Sequence, residues 1–195
     1  MELHFVTEHL YLVLMSSLFT TLFGLVFGVV SYLSRPVRSV ILFVVDVLQT
    51  VPVLALLGFI MLLFGGTSTT VIVGIVLYSL LPVVRNTYVG LNSIDPAIKD
   101  AARGMGMTRW QRLYMVEMPL AFPMVFTGVR IAVVNSIGVA VFGFVVGGGG
   151  LGTVLQRSIY TQDMGTILAA TAILMGMAVF FDYGMGLIEK RLNAK

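Results

Sequence analysis

Cysteine is missing from all 195 residues, which excludes disulfides, thiolate nucleophiles and cysteine-ligated metals. Histidine is almost as scarce. His4 and His9 are the only two, both near the N-terminus, so a histidine–carboxylate acid–base site has little to draw on. Charged residues make up 11% of the chain, where soluble domains carry about a quarter. Internal repeats, low-complexity tracts and linkers long enough to divide domains are also lacking, so residues 1–195 are expected to form a single domain. What fills the chain instead is apolar: 58% of residues, with a mean hydropathy of +1.00. Its solvent is therefore largely lipid.

At about 20 apolar residues per crossing, the length allows roughly five or six spanning helices. The runs themselves fall at about 10–34, 39–64, 71–91, 119–146 and 164–188, which predicts an all-α, polytopic membrane protein with five transmembrane helices. Residues 65–70 (Gly-Gly-Thr-Ser-Thr-Thr) divide the second run from the third. The third is long enough to cross only if it carries Arg85 and Asn86 with it. The segment before the first run holds Glu2 and Glu8 and no Lys or Arg, unlike a secretory signal.

The formal charge of +3 points to no nucleic acid, because in a lipid-embedded chain the position of the cations is what matters. Arg35, Arg38, Lys99, Arg103, Arg109, Arg112, Lys190, Arg191 and Lys195 flank the runs on one side, and Arg157 stands alone on the other. The asymmetry predicts an external N-terminus, a cytoplasmic C-terminus and a cytoplasmic segment at 92–118.

That segment reads Asp100-Ala101-Ala102, three residues, Gly106, nine residues, then Val116-Glu117-Met118-Pro119. On its residues alone it is either an amphipathic helix pair lying on the membrane or a docking element. Two alanines leave a smooth helix surface, and Gly106 permits a sharp turn. The spacing resembles the Glu-Ala-Ala loop of ABC importer permeases, with Asp for Glu, Val for Ile and Met for Leu. The resemblance implies that Asp100, Ala101, Ala102, Gly106, Val116, Met118 and Pro119 couple the chain to a cytoplasmic ATPase. ATP and Mg would then bind in that partner, with no cofactor in this chain.

Further stretches narrow the resemblance. Residues 46–52 (Asp-Val-Leu-Gln-Thr-Val-Pro), 81–91 and 147–152 are similar to permeases for osmoprotectants such as glycine betaine, carnitine and choline. This implies a MetI-like, type I importer fold, a second permease copy or paralogue, and an extracellular substrate-binding protein. The alternatives are a permease for amino acids or other betaines, or an ATP-independent secondary carrier. Tryptophan is the strongest partner for a quaternary ammonium, and the sole one, Trp110, falls beside the coupling motif. High-affinity recognition is thereby expected in the binding protein.

Four charges fall inside the runs: Asp46, Arg85, Arg130 and Asp182. Each costs about 2.5–3.5 kcal/mol or more at a helix centre unless it meets protein or water. The expectation is at least one Asp–Arg pair, Asp46 with Arg85 or Arg130 first; the alternative is arginines that reach the surface singly. Pro52 and Pro82 remove backbone donors and are candidates to kink their helices. Gln49, Thr50, Pro52 and Asn86, with Thr87 and Asn135, are candidate pathway lining or simple interhelical hydrogen bonds. Gly24, Gly28, Gly74, Gly128, Gly138 and Gly143 are expected at close helix contacts. The run from Gly147 to Gly152 lacks the Lys-Ser/Thr of a phosphate loop and reads as a connection that lets a short external helix begin.

Overall fold

An uninterrupted run without charge or proline from Leu10 to Leu33 gives the longest helix of the computed structural model, α1 (Leu3–Leu33). The structure describes residues 3–193; Glu2 and Lys195, counted above among the flanking charges, lie outside them. α1 begins before the apolar run because a His4–Glu8 pair at 2.8 Å braces its first turns. Its buried face is small and polar: His9, Ser16, Ser17, Thr20, Gly24, Gly28 and Ser31, with Leu12 and Val13. That face lies along α4 (Ser68–Asn92).

In lipid, helices gain nothing by hiding apolar area from one another, so close backbone approach has to supply the contact. A Cβ at Gly24 would meet that of Val83 at 2.6 Å, and one at Gly28 would meet that of Thr87 at 2.5 Å. Gly128, on α7 (Met118–Val141), admits the Pro82 carbonyl and Asn86, and Gly74 and Gly143 admit Leu57 and Val71. Gly138 differs from the expectation: nothing lies within 4 Å of the Cβ it lacks. It shares an exposed stripe of α7 with Ile131 and Asn135, at helical spacing.

The second span is not one helix. α2 (Arg35–Thr50) and α3 (Val53–Phe64) meet at 105°. Pro52 has no N–H to give and forces the residue before it out of the helical region, and Val51 is accordingly extended at φ −68°, ψ 130°. Pro82, by contrast, leaves α4 continuous. It is buried among neighbours, with α4 packed by α1, α2, α3 and α7.

Two short helices, α5 (Pro96–Gly104) and α6 (Arg109–Arg112), precede a π turn at Leu113–Glu117 that runs into α7. After α7 a tight turn, Phe142–Val146, leads into the glycines. α8 (Leu151–Tyr160) and α9 (Met164–Asn193) follow. Asp163 caps α9 by accepting from the Thr166 N–H and hydroxyl, which hold its carboxyl below the usual carboxylate range. Among the described residues four helical runs are long and apolar enough to cross a bilayer, and the sharply bent α2–α3 pair is a fifth only where its two halves cross as one. α9 packs mainly on α7 and α8 and leaves Met175, Val179, Phe180 and Tyr183 more than 60% exposed.

The helix directions sort the charges. Arg109 donates to the carbonyl of Leu33 at the end of α1, and Glu189 near the end of α9 reaches Thr127 in the first half of α7. The basic residues from Arg35 to Arg191, Arg157 excepted, thus gather toward one end. The Gly147–Gly150 turn meets the first turns of α1 at the other.

Candidate functional site

The basic end is built around residues 92–118. Asp95 caps α5 by accepting from the Ala97 N–H at 2.8 Å, and Pro96 sits where a missing donor does no harm. The helix ends in a Schellman motif: Gly106 N–H donates to the Arg103 carbonyl at 2.9 Å, and Met107 N–H to that of Ala102 at 3.2 Å. This closure needs the left-handed φ of +80° that Gly106 supplies. Two residues on, Thr108 and Gln111 exchange side-chain and backbone bonds in a capping box that starts α6. The motif is therefore a helix, a fixed reversal and a second helix.

Asp100 is exposed and pairs with Arg103 at 3.2 Å. The two alanines part company, which corrects the reading of both as outer surface. Ala102 is 1% exposed and packs inside the chain, while Ala101 faces out. Successive residues on a helix point about 100° apart, so both cannot share the outer face. With Ala101 stand Ile98 and Met105, 41% and 70% exposed, forming a short apolar stripe that nothing among the described residues covers.

The far half of the segment is tied down. Pro119 interrupts the helical bonding, and the π turn before it carries the widened i→i+5 pattern, Met118 N–H donating to the Leu113 carbonyl. On an α-helix, residues five apart diverge by about 140°. The π turn brings Glu117 back over Arg112, whose Nε donates to it at 2.7 Å. The pair is buried, Glu117 at 1%. Tyr32 of α1 lies beside Glu117, Lys99 Nζ sits 5.1 Å from the Tyr32 ring centre while donating to the Leu91 carbonyl, and Arg109 Nη2 donates to the Leu33 carbonyl at 2.6 Å. Val116 and Met118 are half-buried and Pro119 is exposed. Glu117 and Arg112 were legible only as members of the segment, and nothing in the sequence joins Tyr32 to them; the one local signal is an acid with a basic residue five positions back.

Within the spans, Arg85 Nη2 donates to both carboxylate oxygens of Asp46 at 2.7 and 3.0 Å. Arg130 reaches Asp182 at 2.8 Å and Glu189 at 2.7 Å, not Asp46. Thr127 also donates to Glu189, and Gly186 leaves room for the guanidinium. Glu189, one residue past the 164–188 run, belongs to α9. Because Gly128 packs on Pro82 and Asn86, the two arginine clusters lie at matching height. Side chains of Asp46, Arg85 and Asp182 stay 43–54% exposed. Clefts of about 340 and 250 Å³ open beside Arg130 and Asp182, the smaller one reaching Asn135.

Gln49, Thr50 and Pro52 mark the α2–α3 break; Thr50 donates back to the Val47 carbonyl at 2.7 Å. Asn86 turns its amide to the Pro82 carbonyl, and Thr87 is buried against Gly28. Backbone left unpaired at membrane depth is tolerated where protein or water covers it. Among the described residues no group of three His, Asp or Glu could hold a metal ion. At the opposite end, Glu8 accepts from the Gly150 N–H at 3.0 Å, and His9, fully buried, bonds the Ile137 carbonyl through Nε2 at 3.2 Å. No local pattern could have announced contacts across more than a hundred residues.

Residues 20–194 match the family profile described as binding-protein-dependent transport system inner membrane component. The chain is 38% identical over 179 residues to the carnitine transport permease protein OpuCD of Listeria monocytogenes, covering 90% of this chain and 79% of the relative. It is 41% identical over 177 residues to the glycine betaine/carnitine/choline transport system permease protein OpuCD of Bacillus subtilis (90% and 77%). It is also 35% identical over 193 residues to the osmoprotectant import permease protein OsmW of Salmonella typhimurium (96% and 90%). Among solved structures, the inward-facing MetNI methionine ABC transporter shares the fold at a TM-score of 0.88 and 22% identity, covering 97% of this chain and 95% of that one.

Proposed function

The chain belongs to the binding-protein-dependent transport system inner membrane components, and from that premise we propose that it forms the translocation path of an ATP-driven importer for quaternary-amine osmoprotectants. Relatives named for carnitine, glycine betaine and choline support the substrate class. The observation that carries the coupling role is the reversal at Gly106. It holds Ile98, Ala101 and Met105 outward as an uncovered apolar stripe at the basic end. In this reading the stripe docks in a groove of a cytoplasmic ATPase, which holds ATP and Mg. A second copy or a paralogue completes the path, an extracellular binding protein delivers the solute, and the N-terminus is external.

Half-exposed charges at membrane depth need water or protein around them. The faces bearing Asp46–Arg85, Arg130–Asp182 and the α2–α3 break therefore turn toward the path or the second subunit rather than toward lipid. The carbonyl end of α2, with its partial negative charge, is suited to a passing cation.

The reading is tested in proteoliposomes holding this chain, the ATPase and the binding protein, by uptake of labelled glycine betaine, carnitine and choline. Uptake requires ATP. Uptake without ATP or without the ATPase would falsify the reading in favour of a secondary carrier, and selective uptake of an amino acid would move the substrate class.

The Asp46–Arg85 pair gives a separate expectation. An exposed pair in water is worth about 0.2–1 kcal/mol, but a stranded charge in the membrane costs about 2.5–3.5. Asp46→Arg alone and Arg85→Asp alone should each lower uptake about tenfold or more, since 1.4 kcal/mol is a factor of ten. The double swap should recover most of it. Recovery absent from the double variant, with the protein inserted normally, would show that the two charges act separately.

A further inference from the structure

α1 is fastened at both ends. At the basic end its last two residues meet the coupling segment: Arg109 on the Leu33 carbonyl, Lys99 over the Tyr32 ring, and Glu117 beside Tyr32. At the other end Glu8 accepts from the Gly150 N–H, capping α8 from a different helix, and His9 is wedged between Ile137 and Gly150. α1 is a single 31-residue helix, and from Glu8 to Leu33 the two fastenings lie about 38 Å apart at 1.5 Å per residue. No proline lies along it to absorb a push.

α1 and α4 are keyed together. The Val83 side chain seats at Gly24 and the Thr87 side chain at Gly28, so the two helices would shift as one unit. Buried hydroxyls of Ser16, Ser17, Thr20 and Ser31 on α1, and of Ser79 and Thr87 on α4, make no hydrogen bond in this arrangement, nor does Nδ1 of His9. The receiving turn is close-packed: Gly147, Gly149 and Gly150 take left-handed φ, between 73° and 76°, and Gly149 and Gly150 lie against Glu8 and His9.

We propose that α1 is a push-rod, carrying the displacement of the coupling segment to the Gly147–Gly150 turn and so to α8, with Glu8 and His9 as the positioning residues of its external latch. The inference rests on the importer reading above. It also concerns residues outside the family match, which begins at residue 20.

The cysteine-free chain allows a direct test. A Cβ on Gly150 would stand 3.4 Å from that of His9, near disulfide spacing. In the reconstituted complex with ATPase and binding protein, the His9→Cys/Gly150→Cys pair should crosslink on oxidation. ATP-driven uptake should then fall about tenfold or more, and reduction of the same vesicles should restore it to the level before oxidation. Failure to crosslink, or equal uptake by the oxidised and reduced forms, overturns the proposal.

Should that pair not insert, single variants decide. Glu8→Lys sets a cation at the start of α8 and should raise ATP hydrolysis without binding protein about threefold while lowering uptake, whereas Glu8→Gln, still an acceptor, should restore coupling. Hydrolysis and uptake both unmoved by Glu8→Lys sinks the push-rod. If the unmodified complex shows no ATP-dependent uptake, it is the importer reading that fails instead.

Discussion

Replacing Glu117 with alanine is expected to destabilise the protein by about 3–5 kcal/mol, the usual cost of stranding one half of a buried ion pair. Arg112 is 13% exposed in its side chain and Glu117 2%, so the guanidinium left behind has little water to turn to. Thermal unfolding in detergent measures the loss. Arg112→Ala should cost a similar amount by stranding the carboxylate. Joint replacement, Arg112→Met with Glu117→Leu, should return most of the stability, since two apolar groups of similar volume leave nothing unpaired. An unfolding temperature unchanged in Glu117→Ala would mean that the pair is not buried in the assembled protein.

Gly106→Val should lower ATP-driven uptake about a hundredfold, through the sum of two modest terms. A left-handed backbone costs a side-chain-bearing residue roughly 1–2 kcal/mol, and a β-branched one more. Opening the turn also forfeits the two Schellman hydrogen bonds, each worth about 0.5–1.5 kcal/mol net. No neighbour lies within 4 Å of the absent Cβ, so the effect is conformational rather than steric within this chain. Insertion should survive, copurification with the ATPase should not. Gly106→Asn, which tolerates the left-handed region, should retain a good part of both. Normal uptake by Gly106→Val would remove the turn from the coupling argument.

How far such features could be read in advance depended on the range of the interaction. Apolar runs and charge spacing marked the candidate spans, and the motif at residues 100–119 marked the segment proposed for coupling, because both signals are local. Pro52 and Pro82 looked alike in sequence, yet only the first breaks its helix. The difference lies in what packs around Pro82, which is a property of α1, α2, α3 and α7 together. Asp46 was expected to meet Arg85 or Arg130; it meets Arg85, and Arg130 takes two carboxylates of α9 instead, one of them just past the 164–188 run. Ala101 and Ala102 could not be told apart until the helix had an inside. Glu8, His9 and Gly150 carry no mutual pattern, since their adjacency comes from the whole bundle.

The ion pairs also bear on how the chain is made. Asp46 precedes its partner by 39 residues, and Arg130 precedes Asp182 by 52. Each first-made charge enters the bilayer before the group that neutralises it exists. Arg130 must therefore wait near an aqueous boundary until α9 emerges, and a nascent chain cut short before Met164 leaves it stranded. Such a fragment bears its own mark of incompleteness, an arginine in lipid that no later helix arrives to answer.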